Sequence, residues 1–160
     1  MSIAVCPGSY DPITLGHVDV VRRARTMFDE IVVGVARNAS KTPMFSPEER
    51  VELARASVAD IPNVRVEVVP GLLVDFVNEV GACAIVKGLR GAGDFDAEQS
   101  MALLNRHLGH VETVFIMGAP HLSHISSSHV KDIAHHGGPY FDLVPRAVAT
   151  AMDRRKERHD

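Results

Sequence analysis

Short apolar runs rich in valine and isoleucine recur along the chain, at Ile3 to Cys6, Ile31 to Ala36, Val64 to Val69, Ala84 to Lys87 and Thr113 to Met117. β-Branched side chains pack well on a pleated surface, so these runs predict strands. The stretches between them mix apolar and polar residues at helical spacing. They predict helices near His17 to Phe28, Pro47 to Ala59, Leu72 to Val80 and Asp94 to Leu108, with two more near Ser127 to His136 and Pro145 to Arg158. Ser46-Pro47-Glu48-Glu49 is the sharpest start among them, because it sets a capping serine before proline at the first helical position and glutamate at the third. Strand and helix patterns alternate to the end without repeat, low-complexity stretch or dividing linker. This predicts one α/β domain over residues 1–160, with the helices of about 126–158 packing on it. The expected architecture is Rossmann-like and doubly wound, a five-stranded parallel sheet flanked by helices. Its simplest strand order is 3-2-1-4-5, with a ligand crevice outside the carboxyl ends of strands 1 and 4.

Composition narrows the class of protein. A chain of 160 residues with 46% hydrophobic content and no long apolar run can bury a good core, and it is not expected to span a membrane. The formal net charge of −3 argues against a general nucleic-acid binder. The first residues run straight into a strand pattern without a basic segment and long apolar stretch, so a secretory signal is not expected and a cytoplasmic location is. Cys6 and Cys83 both sit in apolar strand-like runs and are expected as buried, reduced thiols.

The chemistry concentrates at the predicted crevice. Residues 7 to 17 read Pro-Gly-Ser-Tyr-Asp-Pro-Ile-Thr-Leu-Gly-His, directly after the first strand and leading into a helix. Gly8 and Gly16 let backbone approach a bulky anion, Ser9 and Thr14 offer hydroxyls, and His17 falls in the first helical turn, where free N–H groups favour phosphate. The spacing matches neither the dinucleotide fingerprint nor the Walker loop. After the fourth strand comes Gly88-Leu89-Arg90-Gly91-Ala92-Gly93-Asp94, with Lys87 just ahead of it. Arg90 can grip a phosphate through two parallel hydrogen bonds, so the pair forms an expected anion site. Ser126-Ser127-Ser128 opens a later helix, where serines serve either as caps or as a cradle for a polyphosphate. Lys41 follows the second strand; by itself it reads as a solvated lysine.

Taken in order, these segments, with Met44-Phe45-Ser46-Pro47-Glu48-Glu49-Arg50, Gly71-Leu72-Leu73 and Asn105-Arg106, resemble bacterial phosphopantetheine adenylyltransferases along nearly the whole chain. Thr14-x-Gly16-His17 alone is shared with the wider nucleotidyltransferase superfamily. The resemblance implies reversible transfer of AMP from ATP to 4′-phosphopantetheine, giving dephospho-coenzyme A and pyrophosphate, by direct in-line attack without a covalent enzyme intermediate. It implies catalytic roles for His17, Lys41 and Arg90, and contacts to the phosphopantetheine substrate from Ser9, Lys41, Leu73 and Lys87. It further implies that Ser9, Tyr10, His17, Gly88, Leu89, Arg90, Glu98 and the segment Leu122, Ser123, His124, Ile125, Ser126, Ser127, Ser128 surround ATP. Magnesium carried by ATP, a homohexamer and feedback inhibition by coenzyme A complete the implied picture, with no metal held by protein ligands.

The chain departs from the family pattern in a few places. Ala97 stands where a tyrosine is common, Lys87 where many members have arginine, and Leu122 and His124 where bulkier aromatics are usual. Weaker packing of the pantetheine arm is the expected consequence at Ala97. The paired histidines His107/His110, His121/His124 and His135/His136 are expected at surfaces and helix ends rather than around a structural zinc. Met101, Leu104 and Leu108 share a helical face, which points to core or subunit packing. The alternatives are a related nucleotidyltransferase acting on another phosphorylated acceptor, and a nucleotide-binding sensor impaired in catalysis.

Overall fold

The structure is a computed structural model and describes residues 1–37 and 42–159. Five parallel strands, β1 (Ile3–Gly8), β2 (Glu30–Ala36), β3 (Val64–Val69), β4 (Ala84–Leu89) and β5 (Glu112–Met117), form one sheet in the order β3-β2-β1-β4-β5. The helices are α1 (Leu15–Ala24), α2 (Pro47–Ser57), α3 (Leu73–Glu79), α4 (Ala92–Gly109), α5 (Ser127–His135) and α6 (Arg146–His159). This is the expected Rossmann-like topology. Among the described residues no helix is long and apolar enough to cross a membrane.

Both faces of the sheet are covered, so successive residues of β1 enter different cores. Ala4 and Cys6 join Val33, Val86 and residues of α1, α2, α5 and α6, whereas Val5 joins Val32, Ile85, Phe76 and Val77 on the α3 side. Alternation of side chains across a strand makes this division, and it explains why the central strands read as continuous apolar runs.

The crevice has a visible cause in the register. β1 pairs with β2 along its length, from Ile3↔Glu30 to Gly8↔Val35, but it meets β4 only at Ala4↔Ala84 and Val5↔Ile85. Beyond Val5 the two central strands part, and the carboxyl-terminal half of the sheet opens between them. A switch in strand order places such a gap there.

Several boundaries differ from expectation. β4 continues through Gly88 and Leu89, which pair with Ile116 and Met117, so these residues are strand rather than loop. Gly88 is glycine for packing, since a Cβ there would lie 2.5 Å from Val20 Cγ2 of α1. Helix α1 starts earlier and stops earlier than its apolar pattern, because Thr14 supplies a cap at one end and the chain turns off after Arg25 at the other. Cys83 is exposed rather than buried, because it precedes β4 instead of entering it; its thiol meets the Ile3 carbonyl at 3.3 Å. Cys6 is buried as expected, and burial pushes its thiol up to about 12.

Candidate active site

The loop between β1 and α1 brings the first set of groups to the gap. Thr14 is the N-cap of α1 and is 1% exposed; its hydroxyl accepts a hydrogen bond from His17 N at 3.3 Å. In return the Thr14 N–H donates to His17 Nδ1 at 2.9 Å. The reciprocal pairing is a capping box in which histidine takes the place usual for glutamate or glutamine. It also fixes the tautomer: Nδ1 accepts, so Nε2 carries the proton. Burial in the cleft, with Lys87 and Arg90 nearby, pulls the His17 pKa down from 6.5 to about 4. His17 is thus a neutral donor at physiological pH and not a base. Tyr10 packs edge-on against the His17 ring, with centroids 4.9 Å apart, and its hydroxyl donates to the Cys6 carbonyl at 2.9 Å. Tyr10 is buried and has φ of 50°, an uncommon left-handed conformation for a side chain of this size.

The ends of β4 and β5 supply the opposing wall. Lys87 Nζ lies 3.4 Å from Glu98 Oε2 of α4. Arg90 is held by Asp94 through Nε at 3.0 Å and Nη2 at 3.1 Å, while its Nη1 donates to the Ile125 carbonyl at 3.4 Å. The guanidinium beside Asp94 keeps that carboxyl below its usual range. Ser126 caps α5 by accepting from His129 N, and Ser127 donates to the Pro12 carbonyl at 2.7 Å, which ties α5 to the first loop.

These groups line one cavity of about 340 Å³, which takes in Ser9, Tyr10, His17, Lys87, Gly88, Leu89, Arg90, Glu98, Leu122, Ser123, Ile125, Ser126, Ser127 and Ser128. His124 does not line it: it is exposed, because the short 3-10 turn Pro120–Leu122 directs the chain so that Ile125 beside it enters the core. Leu73 lies instead in an adjoining cavity of about 200 Å³ with Ala36, Met101, Ala102, Asn105 and Thr113. The two cavities share Pro7, Gly8, Ser9, Lys87 and Glu98. Lys41 lies outside the described residues.

Residues that carried no expectation also shape the site. Asp11, 1% exposed, accepts from the N–H groups of Met44 and Phe45, both at 2.9 Å, and pairs with Lys131 at 3.3 Å. It fastens the first loop to the chain ahead of α2. Asp19 accepts from Ala119 N at 3.2 Å and from Arg23 at 3.0 Å, joining α1 to the turn after β5. Asn105 and Thr113 line the second cavity, and the Thr113 hydroxyl is buried without a hydrogen-bond partner among the described residues. Asp11 falls within the Pro7–His17 segment, but nothing there distinguishes its carboxylate from a turn aspartate, and Thr113 reads as an ordinary strand residue.

Residues 5–133 match the cytidylyltransferase-like family. The chain is 50% identical to a phosphopantetheine adenylyltransferase of Bifidobacterium longum, with 100% of both chains covered. It is likewise 50% identical to a phosphopantetheine adenylyltransferase of a Nocardioides species, covering 97% of this chain and 98% of that one. A solved bifunctional NMN adenylyltransferase/ADP ribose pyrophosphatase from Francisella tularensis shares the fold alone, with a TM-score of 0.68 and 12% identity over 89% of this chain and 44% of that one. Full-length identity at this level makes the chain an enzyme and a member of the phosphopantetheine adenylyltransferase family, within the cytidylyltransferase-like nucleotidyltransferases.

Proposed function

We propose that the protein transfers the adenylyl group of ATP to the phosphate of 4′-phosphopantetheine, releasing pyrophosphate and leaving dephospho-coenzyme A. The observation that carries this reading is the meeting of two cavities at Ser9, Lys87 and Glu98. The larger, rich in hydroxyls, cations and a helix N-terminus, suits ATP. The smaller has apolar walls with Asn105 and Thr113 among them, and suits an arm built of short methylene stretches and amides. The acceptor phosphate and the α-phosphate would then face each other where the cavities join.

The chemistry asks little of the chain beyond placement. The second pKa of a phosphate monoester is about 6, so the acceptor is largely dianionic at neutral pH and needs no general base. Its oxygen attacks the α-phosphorus in line, a new phosphorus–oxygen bond forms, and the bond to the bridging oxygen of the leaving pyrophosphate breaks. Positive charge and hydrogen-bond donors must hold two anions together as this occurs. His17 Nε2–H offers a donor, Lys87 and Arg90 offer charge, and the first turn of α5 faces the departing phosphates. Lys41 is assigned the same work from the resemblance. Lys87 is tied to Glu98 and Arg90 to Asp94, so each cation is held in place by a carboxylate of α4.

Among the described residues no group of three or more His, Cys, Asp or Glu side chains could hold a metal ion. The cleft's donors suit phosphate, and magnesium is assigned to enter on ATP, where it neutralises phosphate charge. Coenzyme A carries the same arm and is proposed to inhibit by occupying the acceptor cavity. Phe95, Met101, Leu103, Leu104 and Leu108 of α4 stand largely exposed, which supports a homo-oligomer built on that helix; a monomer on sedimentation would remove that assignment.

The test is pyrophosphate release from ATP and magnesium with 4′-phosphopantetheine, beside nicotinamide mononucleotide and a control without acceptor. Turnover with phosphopantetheine alone is expected. Turnover with the nucleotide instead would reassign the acceptor, and ATP binding without any turnover would make the chain a sensor.

A further inference from the structure

Arg50, on α2, is the largest fully buried side chain among the described residues, at 1% exposed. Buried charge is tolerated only when its donors are satisfied. Here they are met by backbone carbonyls: Nη1 donates to Ser9 and Ala36, both at 2.7 Å, Nη2 to Arg37 at 3.1 Å and Nε to Phe45 at 3.2 Å. These carbonyls come from the loop after β1, the end of β2 and the residue before the cap of α2. The rim beside β1 is thus gathered on one planar cation.

We propose that Arg50 is a positioning residue for adenylyl transfer, one that holds the Ser9–Tyr10 peptide and through it the Tyr10 and His17 rings. It rests on the function proposed above. A trans peptide is planar, so fixing the Ser9 carbonyl on Arg50 turns the Tyr10 N–H to the opposite side, away from the guanidinium. Tyr10 itself sits in the left-handed region, which persists only where neighbours enforce it. Arg50 tethers the chain immediately before Tyr10, and the bond from the Tyr10 hydroxyl to Cys6 tethers its ring. The ring then packs on His17. Lysine has one nitrogen in place of a fork and cannot reach all of these carbonyls together.

The experiment compares Arg50→Lys with the parent protein. Expected are a kcat lower by about ten- to a hundredfold, since displacements near 1 Å have such effects, an ATP KM within about threefold, and displaced NMR signals of the Tyr10 amide and the His17 ring with β3 signals in place. A merely structural residue would shift the melting temperature without that kcat-against-KM split. A folded Arg50→Lys protein with kcat within threefold of the parent overturns the proposal. If the parent shows no turnover with phosphopantetheine, the functional reading has failed, and the NMR comparison decides on Arg50 by itself: unmoved Tyr10 and His17 signals refute it. Should the lysine variant not fold, nitrogen-15 NMR of the parent decides, with hindered rotation of the Arg50 guanidinium expected and free rotation refuting the clamp.

Discussion

Replacing His17 by alanine separates the chemical part of that residue from its structural part. The structural loss is the Thr14 N–H to Nδ1 bond at 2.9 Å, one half of the capping box of α1. Losing such a cap contact costs about 1 kcal/mol, which lowers the melting temperature of a chain this long by roughly 2–4 °C. The chemical loss is the Nε2–H donor in a cleft that excludes much of the solvent. Deleting one preorganised donor of this kind costs about 2.7–4 kcal/mol of transition-state stabilisation, or on the order of a hundredfold to a thousandfold in kcat. Glutamine at the same position provides the control, because it completes an ordinary capping box yet lacks the imidazole donor. His17→Gln is therefore expected to melt close to the parent and still lose at least tenfold in kcat. The assay is pyrophosphate release at saturating ATP and 4′-phosphopantetheine, with melting curves on the same preparations. A His17→Ala protein that folds and keeps kcat within threefold of the parent would exclude His17 as the donor in the transition state.

The His17 ring in the free protein is expected to titrate near 4 by NMR, and a midpoint near 6.5 would contradict its being a neutral donor. Because the unfolded chain takes up that proton below about 6.5 and the folded chain does not until about 4, stability should fall as pH falls across that window. Gly88→Ala would drive a methyl against Val20 at 2.5 Å, and overpacking of this kind costs about 1–3 kcal/mol; thermal melting should show the loss and the double variant with Val20→Ala should recover much of it. Ala97→Tyr is expected to lower the KM for phosphopantetheine while leaving kcat near the parent, and an unchanged KM would clear Ala97 of weakening that site.

Most of the architecture was legible because the β-branched runs and the capping signals are local. β3 begins and ends as its sequence indicates, at Val64 and Val69, and Ser46 caps α2 as expected. What depended on distant neighbours was not legible. Gly88 looked like a phosphate-loop glycine, and only the pairing with Ile116 and the closeness of Val20 show it to be strand. The cleft residues marked by motif, such as Ser9, His17 and Arg90, do converge. His124 does not, because the turn before it decides which of two adjacent side chains enters the core. Arg50 and Asp11 were hidden for a different reason. Most of their partners are backbone groups, from Phe45 close by to Ser9 41 residues away for Arg50, and backbone carries no side-chain identity to find in a sequence; the Lys131 charge that meets Asp11 lies 120 residues on.

The brief contact between β1 and β4 also bears on how the chain is made. β1, β2 and β3 are complete once Val69 has emerged from the ribosome, but the second neighbour of β1 arrives only with Ala84 and Ile85. Until then the central strand is an edge, with unpaired amides and carbonyls along an apolar ribbon of the kind that recruits other chains. The nascent half-sheet therefore passes through an interval open to self-association. The two residue pairs that end this exposure, Ala4↔Ala84 and Val5↔Ile85, are also the last ones before the strands part to form the crevice.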